Sequence, residues 1–154
     1  MAQPVTRKVV DAFYDAYTTG DRDKLAAMLH DEVEWSISGP IAVLQYCGER
    51  HGKAQVLELA CNILPSVLAD AKVKSESIVI SGDQVATLNR LTARRRSDGR
   101  QIGYRFAHFI RFRDGKVIET LSIIDTFDAA EQMLGHSLAT RGELPEQARN
   151  LVLL

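Results

Sequence analysis

The chain predicts an α+β fold: a long, curved antiparallel sheet with helices covering one face, forming a cone with a pocket. Three observations carry this. The first half has helical periodicity. The second half is a run of segments rich in Val, Ile, Thr, Phe and Tyr, with no proline. These segments break at Ser81-Gly82-Asp83, Asp98-Gly99-Arg100 and Asp114-Gly115-Lys116. Asp-Gly is a strong hairpin signal, because the turn needs positive φ and glycine supplies it without strain.

A first helix is expected from Val5 to Thr18, with Val9, Val10, Phe13, Ala16 and Tyr17 on one face, ending at Thr19-Gly20. Asp21 then caps a short helix from Arg22 to Leu29, with Leu25, Met28 and Leu29 inward. Strand 1 spans Asp31 to Ser38, where Val33, Trp35 and Ile37 alternate with polar residues. A loop from Gly39 to Gly52 follows, and then a third helix from about Lys53 to Leu68 that Pro65 kinks or ends. Strands 2 to 5 are expected near 72–80, 84–97, 101–113 and 116–127, with Asp128 capping a last helix or turn to Gly135. The tail mixes charge with Leu151-Val152-Leu153-Leu154, an apolar terminus suited to docking on the body or on a second subunit.

The 154 residues fit one domain, 1–154, with a core of about 5–135 and a tail of 136–154. Hydrophobic residues at 45% and charged residues at 25% are ordinary for a globular protein. A formal net charge of -1 leaves no electrostatic footprint for nucleic acid or an anionic membrane. The basic run Arg94-Arg95-Arg96 with Arg100 sits at a hairpin tip, either as a solvated strand end or as a phosphate or partner patch. No segment is apolar and long enough to span a bilayer, and Met1 to Lys8 lacks the apolar core of a signal peptide. Cys47 and Cys61 have no metal-ligand spacing, so reduced thiols, cytoplasmic residence and no metal or other cofactor are expected.

Hairpin pairing assigns the inward faces. Two-residue turns at Asp98-Gly99 and Asp114-Gly115 place His108 opposite Asn89 and Leu121, and Tyr104 opposite Ala93 and Asp125. Because Arg105, Arg111 and Arg113 are odd-numbered, the even residues of that strand, from Ile102 to Phe112, face inward. Asn89, His108 and Asp125 then project into one cavity beside Leu91, Leu121 and Ile123. A single bulge would flip part of this set. Outward lie Leu88, Ala107, Phe109, Ile118 and Ile124, enough apolar surface to predict a homodimer.

The run from Phe13-Tyr14-Asp15 to Gly20-Asp21 resembles the nuclear transport factor 2-like superfamily. So do Leu29-His30-Asp31-Glu32-Val33-Glu34-Trp35, Cys47-Gly48-Glu49-Arg50-His51-Gly52-Lys53, Phe112-Arg113-Asp114-Gly115-Lys116 and Ile124-Asp125-Thr126-Phe127. The nearest branch by resemblance is that of SnoaL-like polyketide cyclases and ketosteroid isomerases, over roughly Val5 to Gly135. It implies a cone-shaped barrel with a deep apolar pocket, usually dimeric through the outer sheet face. The fold hosts isomerases, cyclases, hydrolases and non-catalytic modules, so it does not give the function.

The isomerase positions are not matched here. Phe13 stands at the tyrosine position, Ile37 or Ser38 at the general base, and His108 at the protonated aspartate. The limonene-type epoxide hydrolase set lands on Asn89, Leu91 and Ser122. The cyclases offer a pocket histidine that His108 matches, but their acting aspartate falls near Leu121 or Ser122.

His108 is therefore the candidate acid or base, with Asp125 as the carboxylate that would hold its tautomer and Asn89 as an orienting donor. The competing readings are a structural histidine bonded to Asn89 or a water, and an Asp125 that caps the last helix. Tyr17, Trp35, Tyr46 and Tyr104 are candidate ligand-contacting walls, or simply packing. The expected function is binding of a small apolar organic molecule. Either the protein is a cofactor-independent isomerase, cyclase or lyase, or it is a non-catalytic binding or dimerisation module.

Overall fold

The computed structural model describes residues 4–138. The expected docking segment at 151–154 lies outside the described residues. Helix α1 (Arg7–Thr19) starts where the Thr6 hydroxyl accepts from the Val9 N–H, and stops at Gly20, whose φ of 65° lets its N–H close on the Ala16 carbonyl. Asp21 caps α2 (Arg22–Met28) by accepting from the Lys24 N–H, and the chain passes directly into β1 (Leu29–Ser38). Phe13, Leu25, Leu29 and Val33 are all fully buried, each worth about 1.5–3 kcal/mol relative to exposure.

The expected loop contains a short strand, β2 (Gly48–His51), pairing antiparallel with β1. Its four residues, Gly48-Glu49-Arg50-His51, carry no apolar alternation to announce it. The expected third helix is three pieces: α3 (Gly52–Glu58), a π-helical turn (Leu59–Ile63) and α4 (Leu64–Val67). Pro65 has no N–H and would clash with the preceding turn. The wider turn ahead of it, where the Leu64 N–H bonds the Leu59 carbonyl, absorbs that conflict.

Four long strands follow: β3 (Leu68–Ser81), β4 (Gln84–Arg95), β5 (Gln101–Arg113) and β6 (Lys116–Ile124). The sheet order is β2-β1-β6-β5-β4-β3, antiparallel throughout except for β1 with β6. β3 begins four residues earlier than the pattern near 72–80 suggested, through an irregularity in which Asp70 takes a φ of 53°. Helix α5 (Thr126–Leu134) closes the described chain. No described helix is long and apolar enough to cross a membrane.

Register decides which residues face inward. At the β4–β5 turn the ladder closes with the Arg95 N–H on the Arg100 carbonyl, so His108 opposes Thr87, Tyr104 opposes Leu91, and Asn89 opposes Phe106. This is a slip of two residues from a two-residue turn, and an even slip preserves the face. Ile102, Tyr104, His108, Ile110 and Phe112 are buried as expected. The β5–β6 hairpin begins as expected, with Arg113 opposite Lys116 and Phe112 opposite Val117, but the pairing then jumps so that Arg111 opposes Glu119. Ile118 is the extra residue. Beyond it the parity of β6 is reversed, so Thr120, Ser122 and Ile124 are buried while Leu121 and Ile123 are exposed. The expected inward Leu121 and Ile123, and the expected outward Ile118 and Ile124, are corrected by this one bulge.

The arginine run is committed to internal partners. Arg95 is largely buried, donates to the Gln132 and Met133 carbonyls at the end of α5, and pairs with Asp98. Arg94 pairs with Asp70, and Arg96 donates to the Pro65 carbonyl.

Candidate functional site

The inner face of β4, β5 and β6 meets the inward face of α1 over an aromatic and polar layer. His108 sits mid-strand on β5, 2% exposed. Phe13, Tyr14, Trp35 and Phe106 surround its ring at centroid distances of 5.8 to 6.1 Å. Its Nδ1 lies 2.9 Å from the Tyr14 hydroxyl, while its Nε2 is buried with no partner among the described residues. Burial lowers its pKa to about 3, so the imidazole is neutral at neutral pH.

Tyr14 belongs to a buried polar chain. Its hydroxyl is 2.7 Å from Thr87 Oγ1 and accepts from Asn89 Nδ2 at 3.2 Å. Asn89 Nδ2 also donates to Thr87 Oγ1 at 2.7 Å, and Asn89 Oδ1 accepts from the Ser75 hydroxyl at 2.8 Å. Burial raises the Tyr14 phenol to about 12.

Beside this layer lies a cavity of about 430 Å³. His108, Tyr104, Ile37 and Ser122 are part of its wall, and the exposed Asp70 and Arg96 also border it. The Tyr46 and Tyr104 hydroxyls meet at 2.7 Å, and burial raises both phenols, Tyr46 to about 12. Tyr17 lines the cavity, and its ring lies against Trp35 (5.1 Å) and Phe13 (6.2 Å).

Of the residues singled out from sequence, His108, Tyr17, Tyr46 and Tyr104 share the cavity wall. Trp35 is buried against Tyr17, Phe13 and His108 and does not line it. Asn89 is fully buried, also outside the wall, and its hydrogen-bond link to the His108 ring runs through Tyr14. Asp125 is a correction. It is exposed at the end of β6, where its carboxylate caps α5 by accepting from the Asp128 N–H. The parity change at Ile118 moves Asp125 from the expected place opposite Tyr104 to one beside Arg105, whose carbonyl accepts the Asp125 N–H.

Sequence reasoning missed Tyr14 and Thr87. Tyr14 lies four residues after Val10 and three before Tyr17, so helical spacing alone could have placed it on the inward face. Thr87 needed the two-residue slip to come opposite His108. Among the described residues, no three His, Cys, Asp or Glu side chains gather to hold a metal ion.

Comparison with known proteins supports this architecture. No curated protein matches the chain. A Rhodopseudomonas palustris protein provisionally named an isomerase superposes with a TM-score of 0.77 at 29% identity, covering 86% of this chain and 100% of that one. TerC, co-crystallized with polyporic acid, has a TM-score of 0.69 at 23% identity, covering 82% and 96%. An epoxide hydrolase of the LEH-like type from M. tuberculosis has a TM-score of 0.67 at 18% identity, covering 83% and 88%. The latter two likenesses bear on fold only. The family model of the SnoaL-like domain matches residues 10–120. With that match spanning most of its length, on a curved six-stranded sheet shared with nuclear transport factor 2-like and ketosteroid isomerase-like structures, the chain belongs to the SnoaL-like family.

Proposed function

We propose that the cavity binds a small, largely apolar organic molecule that carries one polar oxygen. The observation behind this reading is His108 Nε2, a buried polar atom with no partner among the described residues, on a residue in the wall of a cavity of ligand size. Tyr17, Tyr46 and Tyr104 are the proposed wall contacts, and Asn89 and Trp35 support the wall from behind.

If there is turnover, it is a cofactor-independent isomerisation, cyclisation or lyase reaction at His108. A general base works best with a pKa near the operating pH, and burial takes His108 far below it. Among the described residues Asp70 is the one carboxylate bordering the cavity, and it is exposed and paired with Arg94. Both facts favour the second reading, a binding module in which His108 makes a hydrogen bond rather than taking a proton.

The test is a panel of ring ketones, phenols and fatty acids followed by thermal shift and calorimetry, with native mass spectrometry for a co-purified ligand. A ligand at 100 times its Kd should stabilise the protein by about 2.7 kcal/mol. Ala71→Trp, at a wall position that is only partly buried, should weaken binding at least tenfold. Equal binding by that variant, or no binder in the panel, would remove the proposal.

A homodimer through the outer sheet face is also proposed. Phe109 (48% exposed), Leu88, Leu121 and Ile123 place apolar side chains on adjacent strands β4, β5 and β6. Sedimentation at micromolar concentration should report a dimer and Phe109→Glu a monomer. A monomeric wild type would overturn it. Two free cysteines suit the cytoplasmic residence proposed for the protein.

A further inference from the structure

We infer that Arg96 makes the rim of the cavity an anion seat, so that the ligand is a carboxylic acid that keeps its carboxylate at the rim on the Arg96 guanidinium and lays its apolar body inside. The inference rests on the cavity being a ligand site, and it adds an ionised head group to the ligand proposed above.

Charge in the wall is confined to one place. Of the described residues that line the cavity, only Asp70 and Arg96 carry formal charge, and both are exposed. The Tyr17, Tyr46 and Tyr104 phenols and the His108 imidazole are kept neutral by burial. Ile37, Leu91, Phe106 and Ile124 add apolar wall. A carboxylate drawn inside would lose its water with no cation to meet it, which is costly. At the rim it keeps part of its water and gains a partner.

The two rim charges are not equivalent. Asp70, which takes a φ of 53° near the start of β3, is already paired, because Arg94 donates to its Oδ2 through both Nε and Nη2. Arg96 has no acidic partner among the described residues. Its side chain donates from Nε to the Pro65 carbonyl, and its backbone N–H donates to the Val67 carbonyl at 3.0 Å. These two bonds tie Arg96 to α4 and fix where its guanidinium stands. With Nε taken, the edge left is that of Nη1 and Nη2, a pair of parallel N–H groups spaced to meet both oxygens of one carboxylate. Arg94, Asp70 and Arg96 together leave one uncompensated positive charge, so the rim attracts an anion.

Calorimetry at low ionic strength compares octanoate with octanamide, which share a tail and differ in charge. Octanoate should bind wild type about fivefold more tightly. In Arg96→Gln, octanoate should weaken to the level of octanamide, and octanamide should be unchanged. Equal binding of the pair to wild type, or an undiminished preference in Arg96→Gln, would overturn this inference and leave the ligand site standing. Binding of neither would overturn the inference and the ligand site together.

Asp70→Asn tests the same charge with the opposite sign, and it decides the matter if Arg96→Gln does not fold. Asparagine tolerates a positive φ, so the rim keeps its shape while losing its negative charge and releasing Arg94. Octanoate should tighten about twofold in this variant, with octanamide unchanged. Unchanged or weaker octanoate binding there would overturn the anion seat. Octyl phosphate tests the head group, and tighter binding than that of octanoate would overturn the assignment to carboxylic acids.

Discussion

Phe13→Ala is expected to lower stability by about 3–5 kcal/mol. Phe13 has no exposed surface, and its ring lies within 5.4 to 6.2 Å of those of Tyr14, Tyr17, Trp35 and His108. Truncation removes the transfer free energy of a whole aromatic ring and leaves a hole. The polar chain behind His108 limits how far the site can collapse into it. Against a typical total of about 5–15 kcal/mol, such a loss leaves the variant close to unfolding at ambient temperature. Phe13→Leu, which keeps most of the volume, should cost far less. Urea unfolding of the two variants beside wild type measures the difference; a Phe13→Ala loss below about 1 kcal/mol would contradict the packing described.

Lowering the pH from 7 to 5 is expected to cost about 2 kcal/mol through His108 alone. An unfolded histidine, with a pKa near 6.5, takes up a proton over this range. The buried imidazole, pushed down to about 3 by desolvation, does not. The unfolded state therefore binds more protons, so stability is full above about pH 6.5 and falls with acid at up to about 1.4 kcal/mol per pH unit until His108 itself titrates. Asp98, whose carboxyl is held well below the usual range by Arg95, adds to acid sensitivity only below about pH 4. Unfolding curves at pH 7 and pH 5 for wild type and His108→Gln isolate the effect. The variant should lack about 2 kcal/mol of the pH-dependent loss, and equal losses would show that His108 is not buried neutral.

The sheet was legible wherever local signals act. The Asp-Gly turns, the alternation in β4 and β5 and the Gly20-Asp21 junction specify their elements through φ preference, pleat and capping, which reside in a few adjacent residues. What was not legible was arithmetic over distance. His108 was placed correctly because an even slip at the β4–β5 turn preserves the face. Asp125 was misplaced because one extra residue at Ile118 does not. No residue type announces that bulge, since Val117 and Ile118 are both apolar and both buried. Trp35 was assigned inward by alternation, and it is inward, but a strand pattern cannot distinguish packing under a cavity from lining it. Tyr14 follows directly on Phe13, which stands at the family's tyrosine position, and the helix face is wide enough to bury both.

The parallel pairing of β1 with β6 sets an order on synthesis. Trp35 lies beside Thr120, so apart from the four residues of β2 the N-terminal third of the chain has no neighbouring strand to dock on until β6 has been made. Each hairpin of β3 to β6, by contrast, joins residues close in sequence and can zip as it emerges. The growing chain thus carries α1 and β1, with their buried Phe13 and Trp35, as unfinished apolar segments while the meander forms behind them. It is in this interval, before Ile124 is added, that the nascent protein is most exposed to aggregation and most in need of chaperone cover.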